Sequence, residues 1–283
     1  MKIGMNMFLW TTHVTQDHVP VLRQLKAAGY DGVEVPVLEE TPAYYRALGR
    51  ILDDIGLERT TVAIIPNADC NPAGETLAQR AAALEYLKLC IDRTSAVGAS
   101  IIAGPTHSTL GLFSGTASTE AERAHAAEVL RHAGEYAEGA GVTFVLEALN
   151  RFECYLLNTM SDLRAFVRRV DHPNVQGMYD TFHANLEEKD LLASILDNRP
   201  CIRHVHISEN DRGTPGRGHI PFNQVLAMLR SSGYDGWLTI EAFSRSLPGL
   251  AAAAKVWRDF FPSPDEVWRE GIDVIRKGWS AAR

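Results

Sequence analysis

Glu147, Asp180, His206 and Glu241 each stand near the end of a short apolar run, in FVLEALN, GMYDTFH, RHVHIS and LTIEAF. Runs of this kind are bound for a protein core, where an unpaired charge loses several kcal/mol on leaving water. Three carboxylates brought together there would repel one another and take up protons unless a cation lay among them. Carboxylate oxygens plus one imidazole suit a divalent ion, Mn2+ foremost, with Mg2+ or Co2+ feasible. Zinc is less favoured, because thiolates and several histidines are missing.

For these side chains to meet, their elements must converge. Eight short apolar runs punctuate the chain: IGMNMF, GVEVPV, TTVAII, SIIAGP, VTFVLEAL, VQGMYDT, IRHVHIS and WLTIEAF. Between them lie stretches of helical period, such as ETLAQRAAALEYLKLCIDRTSAVG and TEAERAHAAEVLRHAGEYAEGAG, rich in Ala, Leu, Glu and Arg and ending in Gly. AAGYDGVEV from Ala27 and SSGYDGWLTIE from Ser231 repeat one helix-to-strand joint, with GAGVTFVLE as a looser copy. Alternating units of this kind predict a parallel sheet, and eight of them predict a closed (β/α)8 barrel. No GxGxxG follows any run, so neither a dinucleotide-binding sheet nor a nucleotide cofactor is expected. In such a barrel the active site lies at the C-terminal ends of the strands, where the four residues, on consecutive strands, would converge.

Other polar residues fall over the same mouth. Glu153 lies past the end of its strand, where a loop residue can meet a substrate. His183 and Arg212 could bind substrate oxygens; equally, His183 could bond the backbone and Arg212 could be a solvated charge or a partner of Asp211. His204 shares strand parity with His206 and reads as its supporting partner, and Glu34 as a strand-end residue orienting a ligand or a hydroxyl. His107 reads as a surface loop histidine. Phe8, Trp10 and Phe243 fit core or rim packing, against which sugars are commonly held.

With 283 residues, 46% of them hydrophobic, and no low-complexity linker, the chain is expected to form one domain over 1–283. A formal charge of −7 without a basic cluster argues against a nucleic-acid partner. The N-terminal segment lacks a signal-peptide core and no apolar run reaches membrane-span length, so a cytoplasmic protein with no membrane association is expected. Cys70, Cys90, Cys154 and Cys201 form no CxxC and read as isolated buried thiols.

The blocks LEALNRFE (146–153), YDTFHANLEE (179–188), HVHISENDRGTPGRG (204–218) and GYDGWLTIEAF (233–243) resemble those of the ketose 3-epimerases acting on D-tagatose, D-psicose (allulose) or L-ribulose, within the xylose-isomerase-like TIM barrel superfamily. The resemblance spans nearly the whole chain. It implies metal ligation by Glu147, Asp180, His206 and Glu241, and substrate-oxygen contacts from Glu153, His183 and Arg212. Phe243 would form a hydrophobic wall, with Phe8 in the N-terminal segment facing the sugar. The implied reaction inverts C3 of a free ketose through a cis-enediolate, with Glu147 and Glu241 as the two proton carriers. MNMFLW and PTHSTLGLFSG are less aromatic than their counterparts in some D-psicose enzymes, which leaves the preferred ketose open.

An inosose dehydratase or a hydroxypyruvate-type isomerase on the same barrel is the nearest alternative, although the latter typically carries Gln where His206 stands. An endonuclease-IV-like repair protein would need more histidines and a basic face, and a catalytically dead sugar-binding protein would not need the glutamate pair. The family implies a homo-oligomer, a dimer or tetramer, for which AAAAKVWRDFF near Ala251 offers a contact surface. A sugar phosphate is not expected, and Arg217 in GTPGRG would be its candidate partner.

Overall fold

A computed structural model describes residues 1–281. Its strands are β1 (Lys2–Asn6), β2 (Gly32–Pro36), β3 (Glu58–Val62), β4 (Ile101–Gly104), β5 (Thr143–Leu146), β6 (Val175–Asp180), β7 (Ile202–Ile207) and β8 (Trp237–Ile240). All pair in parallel in sequence order, and β8 returns to β1 to close the barrel. Each of the eight apolar runs supplies one strand. The helices are α1 (Val19–Ala28), α2 (Pro42–Ile55), α3 (Leu77–Val97), α4 (Glu120–Ala140), α5 (Met160–Val170), α6 (Thr181–Glu187), α7 (Leu191–Asn198), α8 (Phe222–Ser231), α9 (Pro248–Ala253) and α10 (Pro264–Ala281). This is the (β/α)8 barrel expected from the sequence.

The two longest helices start where side chains satisfy their free N–H groups. Thr76 accepts from Gln79 N at 3.2 Å while Gln79 accepts from Thr76 N at 3.1 Å, and Thr119 with Glu122 repeats the arrangement at α4. The repeated GYDG joints end α1 and α8 with Gly29 at φ 90° and Gly233 at φ 76°, a left-handed turn that a Cβ would strain. The tyrosine that follows is buried both times. Tyr30 Oη donates to Trp268 O and Tyr234 Oη to Trp237 O, each at 2.6 Å, which ties the joint to the barrel.

The main core lies between sheet and helices, where Leu25, Val33, Val35 and Leu52 are fully enclosed. Inside the barrel a small apolar group, Ala103, Val145 and Met178, shares the space with Asn6, Glu34, Thr60, His204 and His206, all buried. A separate apolar cluster roofs the mouth. There Phe8, on a single 3-10 turn after β1, and Phe243 pack with Ala251, Ala254 and Val256 of the segment around α9. Ala251, Ala254 and Val256 of the AAAAKVWRDFF stretch thus form part of a lid on the site. Ala252 and Trp257 of the same stretch remain exposed, Trp257 by 68%. Among the described residues no helix is long and apolar enough to cross a membrane.

Candidate metal centre and catalytic cavity

Four neighbouring strands deliver the four expected ligands. Asp180 is the last residue of β6 and His206 the next to last of β7, while Glu147 and Glu241 are the first residues beyond β5 and β8. Glu147 N still donates to Gly104 O and Glu241 N to Ile207 O, both at 3.2 Å, so ladder bonds hold these two backbones past the strand ends. One donor atom from each residue lies within 4.8 Å of every other. From His206 Nδ1 the distances are 3.4 Å to Glu241 Oε1, 3.7 Å to Asp180 Oδ2 and 3.8 Å to Glu147 Oε1.

Register decides this meeting. Gly177 pairs with Ile202 but Met178 pairs with His204, so Arg203 is left over between the pairs. The extra residue places His206, not Val205, beside Asp180. Asp180 is fixed further by accepting from His183 N at 2.9 Å, as the cap of α6, and from Ser208 Oγ at 3.0 Å.

Two atoms at the centre, Glu147 Oε1 and His206 Nδ1, are buried with no hydrogen-bond partner among the described residues. Burial, then the charges of Glu241 and Asp180, raise the Glu147 carboxyl well above its usual range. Burial works against charge on His206, but Glu241 and Glu34 outweigh it and hold its imidazole well above the ordinary value. Both groups thus seek positive charge at one spot. A divalent cation there would satisfy both orphaned atoms, and three carboxylates with one imidazole are a suitable donor set for it.

Glu34 stands in the middle of β2, not at the strand end expected, and of the two roles read for it the geometry fits the orienting of a candidate ligand: its carboxylate accepts from His206 Nε2 at 2.7 Å, Asn6 Nδ2 at 3.0 Å and Thr60 Oγ1 at 2.9 Å. His204 Nε2 lies 2.9 Å from its other oxygen, the supporting position read from strand parity. Although burial alone would raise it, the two histidines hold the Glu34 carboxyl well below the usual range. An ionised Glu34 takes the Nε2 proton of His206 as a hydrogen bond, which leaves the Nδ1 lone pair for the centre.

Glu153, His183 and Arg212 also meet at the mouth. Arg212 Nη2 reaches both Glu153 oxygens at 2.9 and 3.0 Å, Nη1 lies 3.5 Å from Glu241 Oε2, and Asp211 instead accepts from Gly213 N. The guanidinium lies over Phe182 at 4.1 Å and Phe243 at 4.7 Å, and the Arg212 backbone is left-handed at φ 63°. Burial would raise Glu153, yet Arg212 and His183 hold its carboxyl below the usual range. His183 Nδ1 accepts from Asn150 N at 3.0 Å, which leaves the proton on Nε2, pointing toward Glu147 Oε1 at 3.7 Å. Burial first, then Arg212, pushes this imidazole down to about 4 against the pull of Asp180 and Glu153, so it is a neutral donor.

His107 is not a surface histidine. It is completely buried behind the site, where Nε2 donates to Glu147 O at 2.8 Å and Nδ1 faces Ser108 Oγ at 3.0 Å. Arg217 faces away and forms a bidentate pair with Glu270. Two contributors escaped the sequence reading. Asn150 bonds Glu153 at 3.0 Å and stands three residues before it, and Asn6 bonds Glu241 at 3.1 Å. Asn6 interrupts the apolar run of β1 just as Glu147 interrupts its own, and that signal was available.

The cavity measures about 50 Å³, polar where Glu147, Glu241, His183 and Arg212 line it and apolar at Phe8 and Ile64. The chain matches the family described as Xylose isomerase-like TIM barrel over residues 22–278. It is 28% identical to the ketose 3-epimerase of Arthrobacter globiformis, covering 100% of this chain and 98% of that protein. It is 30% identical to the L-ribulose 3-epimerase of Mesorhizobium japonicum, over 100% and 95% of the two chains. The solved D-psicose 3-epimerase of Clostridium cellulolyticum H10, with D-tagatose, superimposes at a TM-score of 0.90 and 28% identity over 99% of each chain. With the barrel, the clustered carboxylates and these likenesses in agreement, the chain belongs to the xylose isomerase-like TIM barrel family and, within it, to the ketose 3-epimerases.

Proposed function

We propose that the protein is a metal-dependent isomerase that inverts C3 of free ketoses, such as L-ribulose, D-tagatose, D-fructose and D-psicose. The carrying observation is the convergence of Glu147 and Glu241 on one small cavity with Asp180, His206, His183 and Arg212. Glu147, Asp180, His206 and Glu241 would hold the ion, Mn2+ in preference to Mg2+ or Co2+. When bound, the ion supplies Lewis-acid polarisation at the C2 carbonyl and C3 hydroxyl, which acidifies the C3 hydrogen.

The rest falls to the chain itself. Glu147 and Glu241, on β5 and β8, each take the C3 proton from one face of the sugar while the other returns one to the opposite face. His183 and Arg212 donate to the oxyanion that develops as the proton leaves. Glu153 orients Arg212 and keeps that guanidinium at the mouth. The apolar wall of Phe8 and Phe243 and the lid above it exclude water from the carbanionic stage.

The Arg217–Glu270 pair supports unphosphorylated substrates, since the cation that a phosphate would recruit is already engaged elsewhere. Buried free thiols support a cytoplasmic setting, and exposed Phe113, Phe152 and Trp257 support a homo-oligomer, dimer or tetramer.

Metal-stripped enzyme reloaded in turn with Mn2+, Mg2+ and Co2+ tests the reading, each form being offered the four ketoses and assayed for C3 epimers. Interconversion of at least one epimeric pair is expected. Absence of any, together with loss of water from inosose, would replace it with the dehydratase reading.

A further inference from the structure

The catalytic cavity does not end the space at the mouth. At about 50 Å³ it is the smaller of two neighbouring hollows at this end of the barrel. Ile64, Leu250 and Ala253 line it and also line a second cavity of about 260 Å³. The two are neighbours across this shared wall, in which Leu250 and Ala253 belong to α9.

The second compartment differs in chemistry. Beyond the shared apolar residues it presents Thr12, His13 and Glu39. His13 is held rather than free: its ring stacks on Tyr44 at 4.7 Å and 20°, and Thr11 Oγ1 both accepts from His13 N at 2.9 Å and donates to His13 O at 2.7 Å. Among the described residues no lysine or arginine lines this space, and Glu40 lies 3.9 Å from His13 Nδ1. A phosphate or carboxylate would meet acidic neighbours without a fixed cation. A neutral, hydroxyl-rich unit would find a donor, acceptors and apolar surface for its carbon faces.

Orientation follows from the first compartment. With the carbonyl side addressed by His183 and Arg212, the proposed reaction leaves the apolar lining, Ile64 and Leu250 included, to the remainder of the sugar. Both residues also face the second compartment. We propose that this compartment is a glycosyl subsite: it takes a neutral pyranose unit O-linked at the far end of the ketose, with His13 and Glu39 bonding its hydroxyls. The inference rests on C3 epimerisation of ketoses as the reaction.

The test compares D-fructose with 6-O-α-D-glucopyranosyl-D-fructose and with fructose 6-phosphate, using Mn2+-loaded enzyme and its His13→Ala and Glu39→Ala variants. The glucosyl ketose should be epimerised at C3 with a kcat/KM at least tenfold above that of D-fructose, and fructose 6-phosphate should fall below both. In each variant the ratio of glucosyl ketose to D-fructose should drop at least fivefold. Epimerisation of D-fructose with no advantage for the glucosyl ketose, or an advantage that both variants retain, overturns the subsite while leaving the reaction intact. Faster turnover of the phosphate overturns the neutral-ligand assignment. If no ketose is epimerised at all, the underlying reading has failed instead.

Discussion

The Glu34 carboxylate accepts the Nε2 proton of His206 at 2.7 Å, across two strands on opposite sides of the barrel's closure, with neither side chain exposed. A histidine held in this way presents one fixed lone pair. Glu34→Gln keeps the shape and removes the charge, and affinity for Mn2+ should fall by about 10- to 100-fold. Competition against a chromophoric chelator measures it directly. An unchanged dissociation constant would mean that Glu34 serves the fold and not the ligand.

Two proton carriers make a demand that metal binding alone does not. In D2O every epimerised molecule should carry deuterium at C3. Glu147→Gln and Glu241→Gln, at saturating Mn2+, should each lose epimerisation, and each should still exchange the C3 proton of one epimer, a different one in the two variants. If both variants epimerised within about tenfold of the parent, roughly 1.4 kcal/mol of barrier, the pair would not be the acid and base.

Arg212 neutralises a carboxylate that is almost fully buried, with Glu153 5% exposed. Arg212→Met should therefore cost about 3–5 kcal/mol of stability by urea unfolding, since a charge is left unpaired in the interior. Adding Glu153→Gln should restore most of it without restoring activity. A fully additive pair would show that the two residues do not depend on each other.

Chelation should abolish activity and leave far-UV circular dichroism unchanged, because the strands and helices enclose a core that does not include the site. The melting temperature should fall nonetheless. An ion present at a hundredfold excess over its Kd adds about 2.7 kcal/mol to the native state. Full activity with metal absent by elemental analysis would end the proposed dependence.

Burial raises the phenols of Tyr30, Tyr86, Tyr179 and Tyr234 above the ordinary tyrosine range. A folded state that keeps its protons longer than the unfolded chain is stabilised below pH ~10, and that stability is lost as pH rises further. Phenolate absorbance should then appear in two stages, with the buried tyrosines ionising together with loss of the circular dichroism signal. Smooth ionisation of all tyrosines with the fold intact would contradict their enclosure.

The sequence by itself determined the barrel and most of its centre. Apolar runs and helical periods are local properties, so all eight strands were legible, and Glu147, Asp180, His206 and Glu241 stood out because each interrupts such a run near its end. The same logic would have exposed Asn6. What the tertiary structure decided is pairing. Arg203 looks like any strand residue, yet its omission from the ladder is what sets His206 opposite Asp180. Glu34 and His206 stand 172 residues apart, and no local pattern reports a hydrogen bond between them. His107 reads as a loop residue until the fold closes over it, since burial belongs to whatever packs on top and not to the segment that carries it. The roof around α9 is the same case: nothing in the segment reports that Ala251, Ala254 and Val256 pack over Phe8 and Phe243, because those partners come from the far ends of β1 and β8.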